Sequence, residues 1–102
     1  MKLNVLERLI VLSLLPESGS FANLKLLRIV REELSFDEKD NKTLAFEQIG
    51  EKLRWNENAK VPDKDVKFGE IVTQMITKKL KEMDDKEELK PEHFSVYEKF
   101  MS

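Results

Sequence analysis

The stretch LPESGSF, Leu15–Phe21, separates two strongly apolar segments and decides how the N-terminal half of the chain folds. Pro16 disfavours helical geometry in the residue before it, so a first helix should end near Leu14. Ser20 is a favourable N-cap for a second helix that runs from Phe21 to about Leu34. The stretch is therefore either a plain corner between two packed helices or the turn of a DNA-reading helix pair.

The first helix is predicted to be apolar almost all round, because Val5 and Leu12 extend the apolar face that holds Leu9. Asn4 and Glu7 have the spacing of a capping box at its start. A helix of this kind lies at the centre of a fold or in an interface. The second helix carries its own apolar stripe, with these members: Phe21, Leu24, Leu26, Leu27, Ile29, Val30 and Leu34.

A short third helix and a β-hairpin are predicted next. The pattern from Ser35 to Glu38 is a second capping box, and the polar run Glu38–Lys42 is expected to end the helical part. Leu44–Ile49 and Lys52–Trp55 then alternate on either side of Gly50, which suits the first position of a type II′ turn. The predicted cross-strand pairs are Phe46–Trp55, Glu47–Arg54, Gln48–Leu53 and Ile49–Lys52.

The C-terminal part predicts two further helices. Asp65–Phe68 is a third short strand or an extended lead-in to a helix from about Gly69 to Met83, and Pro91 fits the first turn of the last helix. The chain is thus expected to form a single α+β domain, residues 1–102, whose order of elements loosely resembles a winged-helix module. The last helix is expected to present one apolar stripe, formed by Phe94, Tyr97 and Met101 and widened by Val96 and Phe100.

The composition argues against most catalytic and cofactor chemistry. The chain has no cysteine and one histidine, His93, which excludes disulfides, thiolate metal sites and cysteine nucleophiles. A lone histidine in the first turn of a helix is expected at the surface, not as a catalytic base. Its glycines are isolated, so no phosphate-binding loop is present. We therefore expect neither an enzyme nor a bound cofactor or metal.

The balance of charge gives no overall attraction to nucleic acid or to a membrane surface. Eighteen basic residues stand against 20 acidic ones, a net charge of −2. The apolar run Leu9–Leu15 superficially resembles a short secretory signal, but Glu7 and Arg8 interrupt the segment and it is far below the ~20 residues of a membrane span. A cytoplasmic protein without a membrane contact is expected.

Two classes of function remain open. A winged-helix DNA-binding regulator would need the acidic segment Phe36–Asp40 to meet phosphates, which favours the corner interpretation of Leu15–Phe21. Its candidate nucleic-acid contacts are Lys25, Arg28, Arg31, Lys52 and Arg54. We favour a non-enzymatic protein-binding or scaffolding protein that forms homo-oligomers, because small chains without disulfides often gain stability by association. Its candidate interface residues are Val5, Leu12, Trp55, Phe94, Tyr97 and Phe100.

Trp55 has two interpretations of its own. An exposed tryptophan on a two-stranded ribbon is typical of a binding hot spot. The alternation of the hairpin, however, points Trp55 and Phe46 to the same side, which favours a core position for both rings.

Two stretches resemble small, uncharacterised proteins encoded by bacteriophages and prophages. They are LERLIVLSLLPESGSFANLKLLRIVREELSF, Leu6–Phe36, and EHFSVYEKF, Glu92–Phe100. The shared features are structural: a corner, helix caps and an amphipathic last helix. The resemblance implies a phage-associated cytoplasmic setting, and it assigns no activity or site to any residue.

Overall fold

The computed structural model describes all residues from Met1 to Ser102 and has the α+β class that the sequence predicts. The helices are α1 (Val5–Leu14), α2 (Phe21–Leu34), α3 (Glu38–Leu44), α4 (Gly69–Asp85) and α5 (Phe94–Met101). The strands are β1 (Lys2–Leu3), β2 (Glu47–Ile49), β3 (Lys52–Arg54) and β4 (Lys64–Asp65). A 3-10 turn, Pro91–His93, leads directly into α5.

The first two helices begin and end where the sequence predicts. The Asn4 side chain accepts a hydrogen bond from the Glu7 amide at 2.9 Å, and the Glu7 carboxylate accepts one from the Asn4 amide at 3.0 Å. This confirms the capping box of α1. The Ser20 hydroxyl accepts a bond from the Asn23 amide and caps α2, while the Arg31 guanidinium donates to the Pro16 carbonyl at 2.7 Å. The corner is therefore fixed by a cap and by a side chain of α2.

The prediction for α3 was wrong at its start and at its end. The N-cap is Asp37, whose carboxylate accepts from the Asp40 amide at 2.7 Å, and the polar run expected to end the helical part is the helix itself. A carboxylate at the cap and two acidic residues in the first turn favour helix here, because they complement the positive end of the helix dipole. Ala45 ends α3 with a left-handed φ of 49°, so Leu44 belongs to the helix and not to the hairpin.

The hairpin has the predicted register. The strands pair Glu47 with Arg54, Gln48 with Leu53 and Ile49 with Lys52. Gly50 has a φ of 61° and is the one turn residue with a positive φ, as in a type II′ turn. The strand predicted at Asp65–Phe68 overlaps β4 only at Asp65, and residues 66–68 lead into α4 without forming a strand. Strand β4 pairs antiparallel with β1 and not with the hairpin.

Helix α1 lies at the centre of the fold, as its all-round apolarity predicts. It contacts α2, α4, α5, the 3-10 turn and β1. Val11, Leu27, Ile76 and Val96, one residue from each of these four helices, are almost fully buried together in the core. The short strands β1 and β4 close one side of this core, with Leu3 and Val66 buried beside them.

The predicted apolar faces of α2 and α5 are only partly correct. On α2, Phe21 is 75 % exposed and Ile29 is 59 % exposed, because the helix packs against the core with its other side, which holds Leu27, Val30 and Leu34. On α5, Phe94 is 70 % exposed, and Val96 and Phe100 face the core instead. Phe100 packs edge-on against Phe68, with ring centres 5.1 Å apart, so its assignment to an interface was wrong.

An ion pair between the buried Glu7 carboxylate and the partly exposed Lys99 ammonium joins α5 to α1. The Lys99 ammonium lies 2.8 Å from the Glu7 carboxylate and also donates to the Lys2 carbonyl at 2.7 Å. Burial alone would raise the pKa of Glu7, but hydrogen bonds from the Asn4 amide and from Lys99 outweigh it and hold that pKa below its ordinary value of 4.5. The pair ties the last helix to the first turn of α1.

Arg8 joins α1 to the carboxyl end of α2. Its guanidinium is buried and donates from Nε to the Leu34 carbonyl at 3.1 Å and from a terminal nitrogen to the Ser35 carbonyl. These carbonyls are among those that a helix end leaves without partners, and a cation there complements the helix dipole. The guanidinium carbon also lies 3.9 Å from the centre of the Phe36 ring.

The Glu7 carboxylate should make stability depend on pH in acid. The pKa of Glu7 is lower in the folded chain than in the unfolded one, because the Asn4 amide and Lys99 both bind its ionised form. The ionised carboxylate therefore stabilises the fold above the ordinary carboxyl pKa of 4.5, and this contribution is lost as the pH falls through the folded-state pKa. Urea unfolding at neutral pH and at about pH 3 should therefore show a larger acid-induced loss in the wild type than in Glu7→Gln. The control Glu98→Gln, at an exposed position of α5, should keep the wild-type loss; equal losses in all three proteins would contradict the assignment.

Replacing Arg8 by lysine should destabilise the fold although the charge is kept. A lysine cannot reach both carbonyls with a planar fork or stack on Phe36, so we expect the free energy of unfolding to fall by about 2 kcal/mol. The matched control is Arg28→Lys on the exposed face of α2, which should change stability by less than about 0.5 kcal/mol. Urea unfolding curves of the two variants check this, and equal effects would contradict it.

Candidate protein-binding groove

A groove of about 910 Å³, lined by both apolar and charged side chains, lies between α1 and the hairpin. We call it the α1–hairpin groove. Helix α1 supplies one wall, the hairpin supplies the opposite wall and the 3-10 turn before α5 borders one side. Its apolar lining residues are Leu6, Leu9, Ile10, Ile49, Leu53 and Trp55.

Charged groups line the groove beside this apolar surface. Lys52, Arg54 and Lys90 contribute cations, and Glu51 and Glu92 contribute carboxylates. The local excess is one positive charge, in contrast to the net negative charge of the chain. Protein-binding surfaces commonly combine apolar side chains with charged ones in this way.

His93 forms part of the groove and is buried, so its expected surface position was wrong. Only 8 % of its surface is exposed, and its Nδ1 atom accepts a hydrogen bond from the Lys90 amide at 2.9 Å. This bond closes the 3-10 turn and satisfies one ring nitrogen. The ring acts as an internal cap of the turn, which explains why a lone histidine is found inside the molecule.

A row of aromatic rings holds the hairpin against the helical body. The ring centres of Phe36 and Phe46 are 5.1 Å apart, and those of Phe46 and Trp55 are 6.2 Å apart. Arg8 stacks on Phe36 and so connects the row to α1. Tilted ring pairs at these separations contribute about 0.5–1.5 kcal/mol each beyond the area that they bury.

Trp55 combines features of both of its predicted environments. It is half-buried, packs against Phe46 as the hairpin register predicts, and also lines the α1–hairpin groove. It lies outside the main core cluster and contacts the aromatic row instead. One side of the ring is thus fixed by packing, while the groove gives access to the rest.

The other candidate interface residues do not lie in this groove. Val5 and Leu12 are half-buried on α1, and Leu12 packs against the core. Phe94 and Tyr97 line a smaller cavity of about 260 Å³ on another side of the 3-10 turn. Partial burial is the main cause that raises the pKa of Tyr97. The Asp84 carboxylate, which accepts a hydrogen bond from the Tyr97 hydroxyl at 3.3 Å, raises it further.

The candidate nucleic-acid contacts are divided between two elements. Lys25 and Arg28 are exposed on α2, where Arg28 lies 3.6 Å from Glu32, and Arg31 is engaged with the corner. Lys52 and Arg54 line the groove. The start of α3, which would have to enter the major groove of DNA, carries carboxylates at three positions: Asp37, Glu38 and Asp40.

No group of three or more histidine and acidic side chains is placed to hold a metal ion, and no helix is long and apolar enough to cross a membrane. Comparisons with protein-family models, with curated proteins and with solved structures give no match. The functional interpretation therefore depends on the surfaces of this chain alone.

The α1–hairpin groove should bind the fluorescent apolar anion anilinonaphthalene sulfonate. Its rings suit the apolar lining, its sulfonate suits the cations beside it, and Trp55, the one tryptophan of the chain, lies close enough to transfer excitation energy to it. Leu53→Asp should reduce this energy transfer several-fold, because it places a carboxylate in the lining.

The control for this measurement is Ile71→Asp, which changes an exposed apolar residue of α4 outside the groove. It should give the wild-type transfer. Equal transfer in Leu53→Asp and in the wild type would show that the dye does not occupy the groove.

Proposed function

We propose that this protein is a non-enzymatic protein-binding or scaffolding protein that self-associates and acts in a phage-associated, cytoplasmic setting. The observation that carries the proposal is the α1–hairpin groove, which offers an apolar lining with a tryptophan and an adjacent set of cations. Tryptophan and arginine are enriched among the residues that dominate binding energy at protein interfaces.

The groove suits a segment of a protein better than a small metabolite. Ligand sites orient their ligands with a few polar groups that converge on one point. Here the apolar lining comes from Leu6, Leu9 and Ile10 of α1 and from Ile49, Leu53 and Trp55 of the hairpin. The cations belong to long side chains and do not converge on one point: Lys52, Arg54 and Lys90. We infer that the partner presents apolar side chains flanked by acidic residues.

The aromatic row makes the groove a preformed surface. Trp55 is held by Phe46, and Phe46 by Phe36, so the hairpin wall needs little ordering when a partner binds. Binding to an ordered surface avoids part of the conformational entropy that association otherwise costs. This supports a binding role for a chain that offers no convergent acid, base or nucleophile set.

A winged-helix DNA-binding regulator is the second candidate function. The order α1, α2, α3 and hairpin supports it, and Lys25 and Arg28 are exposed on α2. The carboxylates at the start of α3 oppose it, because they would approach the phosphates. Its signature would be duplex binding that weakens steeply with salt.

A random-peptide library tests the protein-binding function without knowledge of the partner. Selection on the wild type, with depletion on Leu53→Asp, should enrich apolar peptides that carry Asp or Glu at their flanks. Purified peptides from this pool should shift the Trp55 emission to the blue, because they cover the exposed part of the indole. Binding to Leu53→Asp should be weaker by about tenfold or more.

The control variant Ile71→Asp should bind the same peptides with wild-type affinity. A pool without an apolar–acidic pattern, or peptides that bind Leu53→Asp equally well, would overturn the groove assignment. Salt-sensitive binding of mixed-sequence duplex DNA that is weakened by Arg28→Ala would favour the second candidate instead.

A further inference from the structure

The exposed side of α2 carries apolar residues that neither the core nor the α1–hairpin groove uses. Three apolar residues and one acidic residue follow one another there at spacings of four, three and four: Ala22, Leu26, Ile29 and Glu33. This is the spacing of the contact positions in a two-stranded coiled coil. We call these four residues the α2 seam. All four are exposed. Glu33 also lies 4.0 Å from the Lys64 ammonium of its own chain, and dimer formation would exchange this ion pair for a contact with the partner.

We propose that the α2 seam is a homodimer interface in which the α2 helices of two copies pack antiparallel about a two-fold axis. In this register Leu26 lies beside the partner's Ile29, and the partner's Leu26 lies beside Ile29. A two-fold interface must be complementary to itself, and this register meets that condition. The proposal rests on the self-association included in the proposed function and is independent of the groove.

The charges beside the seam select the antiparallel arrangement. Lys25 and Glu32 flank the seam on the same side and both are exposed. In the antiparallel register Lys25 faces the partner's Glu32 and Glu32 faces the partner's Lys25, which gives two equivalent ion pairs. A parallel register would instead direct Lys25 towards the partner's Val30, which is buried in its own core.

The ends of α2 are also complementary in this arrangement. Its first turn contains no acidic residue of its own chain. The antiparallel register places the partner's Glu33 beside Ala22, close to the positive end of the helix dipole, where a carboxylate is favourable. The same contact occurs twice because of the two-fold axis. The antiparallel helix dipoles themselves also attract each other.

The seam predicts a reversible dimer rather than a permanent one. Helix α2 has 14 residues, a length of about 21 Å. One helix pair of this length buries less accessible surface than a typical stable complex, which buries about 1,200 Å² or more in total. We therefore expect a dissociation constant in the micromolar range.

Sedimentation equilibrium over a range of protein concentrations measures the dimer directly. Ile29→Asp should raise the dissociation constant by about tenfold or more, because it buries a carboxylate opposite the partner's Leu26. Ile71→Asp, on α4, is the matched control and should dimerise like the wild type. Circular dichroism establishes that both variants remain folded.

A charge exchange tests the orientation of the helices. Lys25→Glu leaves carboxylates at both flanking positions and Glu32→Lys leaves ammonium groups at both, so each variant alone should dimerise several-fold more weakly. An equimolar mixture of the two should form a heterodimer, because each carboxylate then faces an ammonium group. The double variant Lys25→Glu/Glu32→Lys should regain wild-type association, since both pairs are reversed together.

The outcomes separate this proposal from the proposed function. A wild type that stays monomeric at the highest attainable concentration overturns the seam and the self-association, while peptide binding in the groove can still be measured. A dimer that persists in Ile29→Asp overturns the seam alone. A dimer that Ile29→Asp weakens, but whose two charge variants do not associate when mixed, overturns the antiparallel register.

Discussion

The buried guanidinium of Arg8 is the contact on which the arrangement of this fold depends. It satisfies carbonyl groups at the carboxyl end of α2 and stacks on Phe36, so one side chain connects two helices and the aromatic row that ends at Trp55. No carboxylate pairs with it directly; burial lowers the pKa of Arg8, and the more distant Asp37 and Asp40 oppose that shift. The charge is stabilised mainly by carbonyl dipoles, which explains how an arginine can lie within a small core.

The features that the sequence predicted well are those whose partners are neighbours in the chain. The Asn4–Glu7 capping box and the cap at Ser20 each involve residues three positions apart, and the hairpin register follows from alternation around Gly50. Two of the wrong predictions are local: Asp37 and not Ser35 caps α3, and His93 accepts its hydrogen bond from the Lys90 amide three residues before it. The wrong predictions for the faces of α2 and α5 involve distant partners. Lys99 of α5 binds Glu7 of α1 at a sequence separation of 92 residues, and a helical period alone cannot indicate which of two apolar faces will be covered.

The candidate sites show the same limit. The α1–hairpin groove combines segments from three parts of the chain, so the sequence indicated Trp55 but not the Leu6 and Leu53 side chains that accompany it. The α2 seam was present in the pattern, but Leu26 and Ile29 were interpreted as part of the buried stripe. A helix that is apolar on two faces needs partners for both. Only the tertiary structure shows which of the two faces is covered by the same chain.

The pairing of β1 with β4, together with the contact of α5 with β1, makes the fold depend on contacts of long sequence separation. The Met1 amine binds Asp65 at a sequence separation of 64 residues, and the Lys2 carbonyl accepts from Lys99 at a separation of 97. Helix α1 packs against α2, α4 and α5, so these faces of the helix are all covered only when segments far apart in the sequence have come together. Contacts of such long sequence separation form slowly, and until they form the faces of α1 that pack against α4 and α5 stay open to solvent and to other chains.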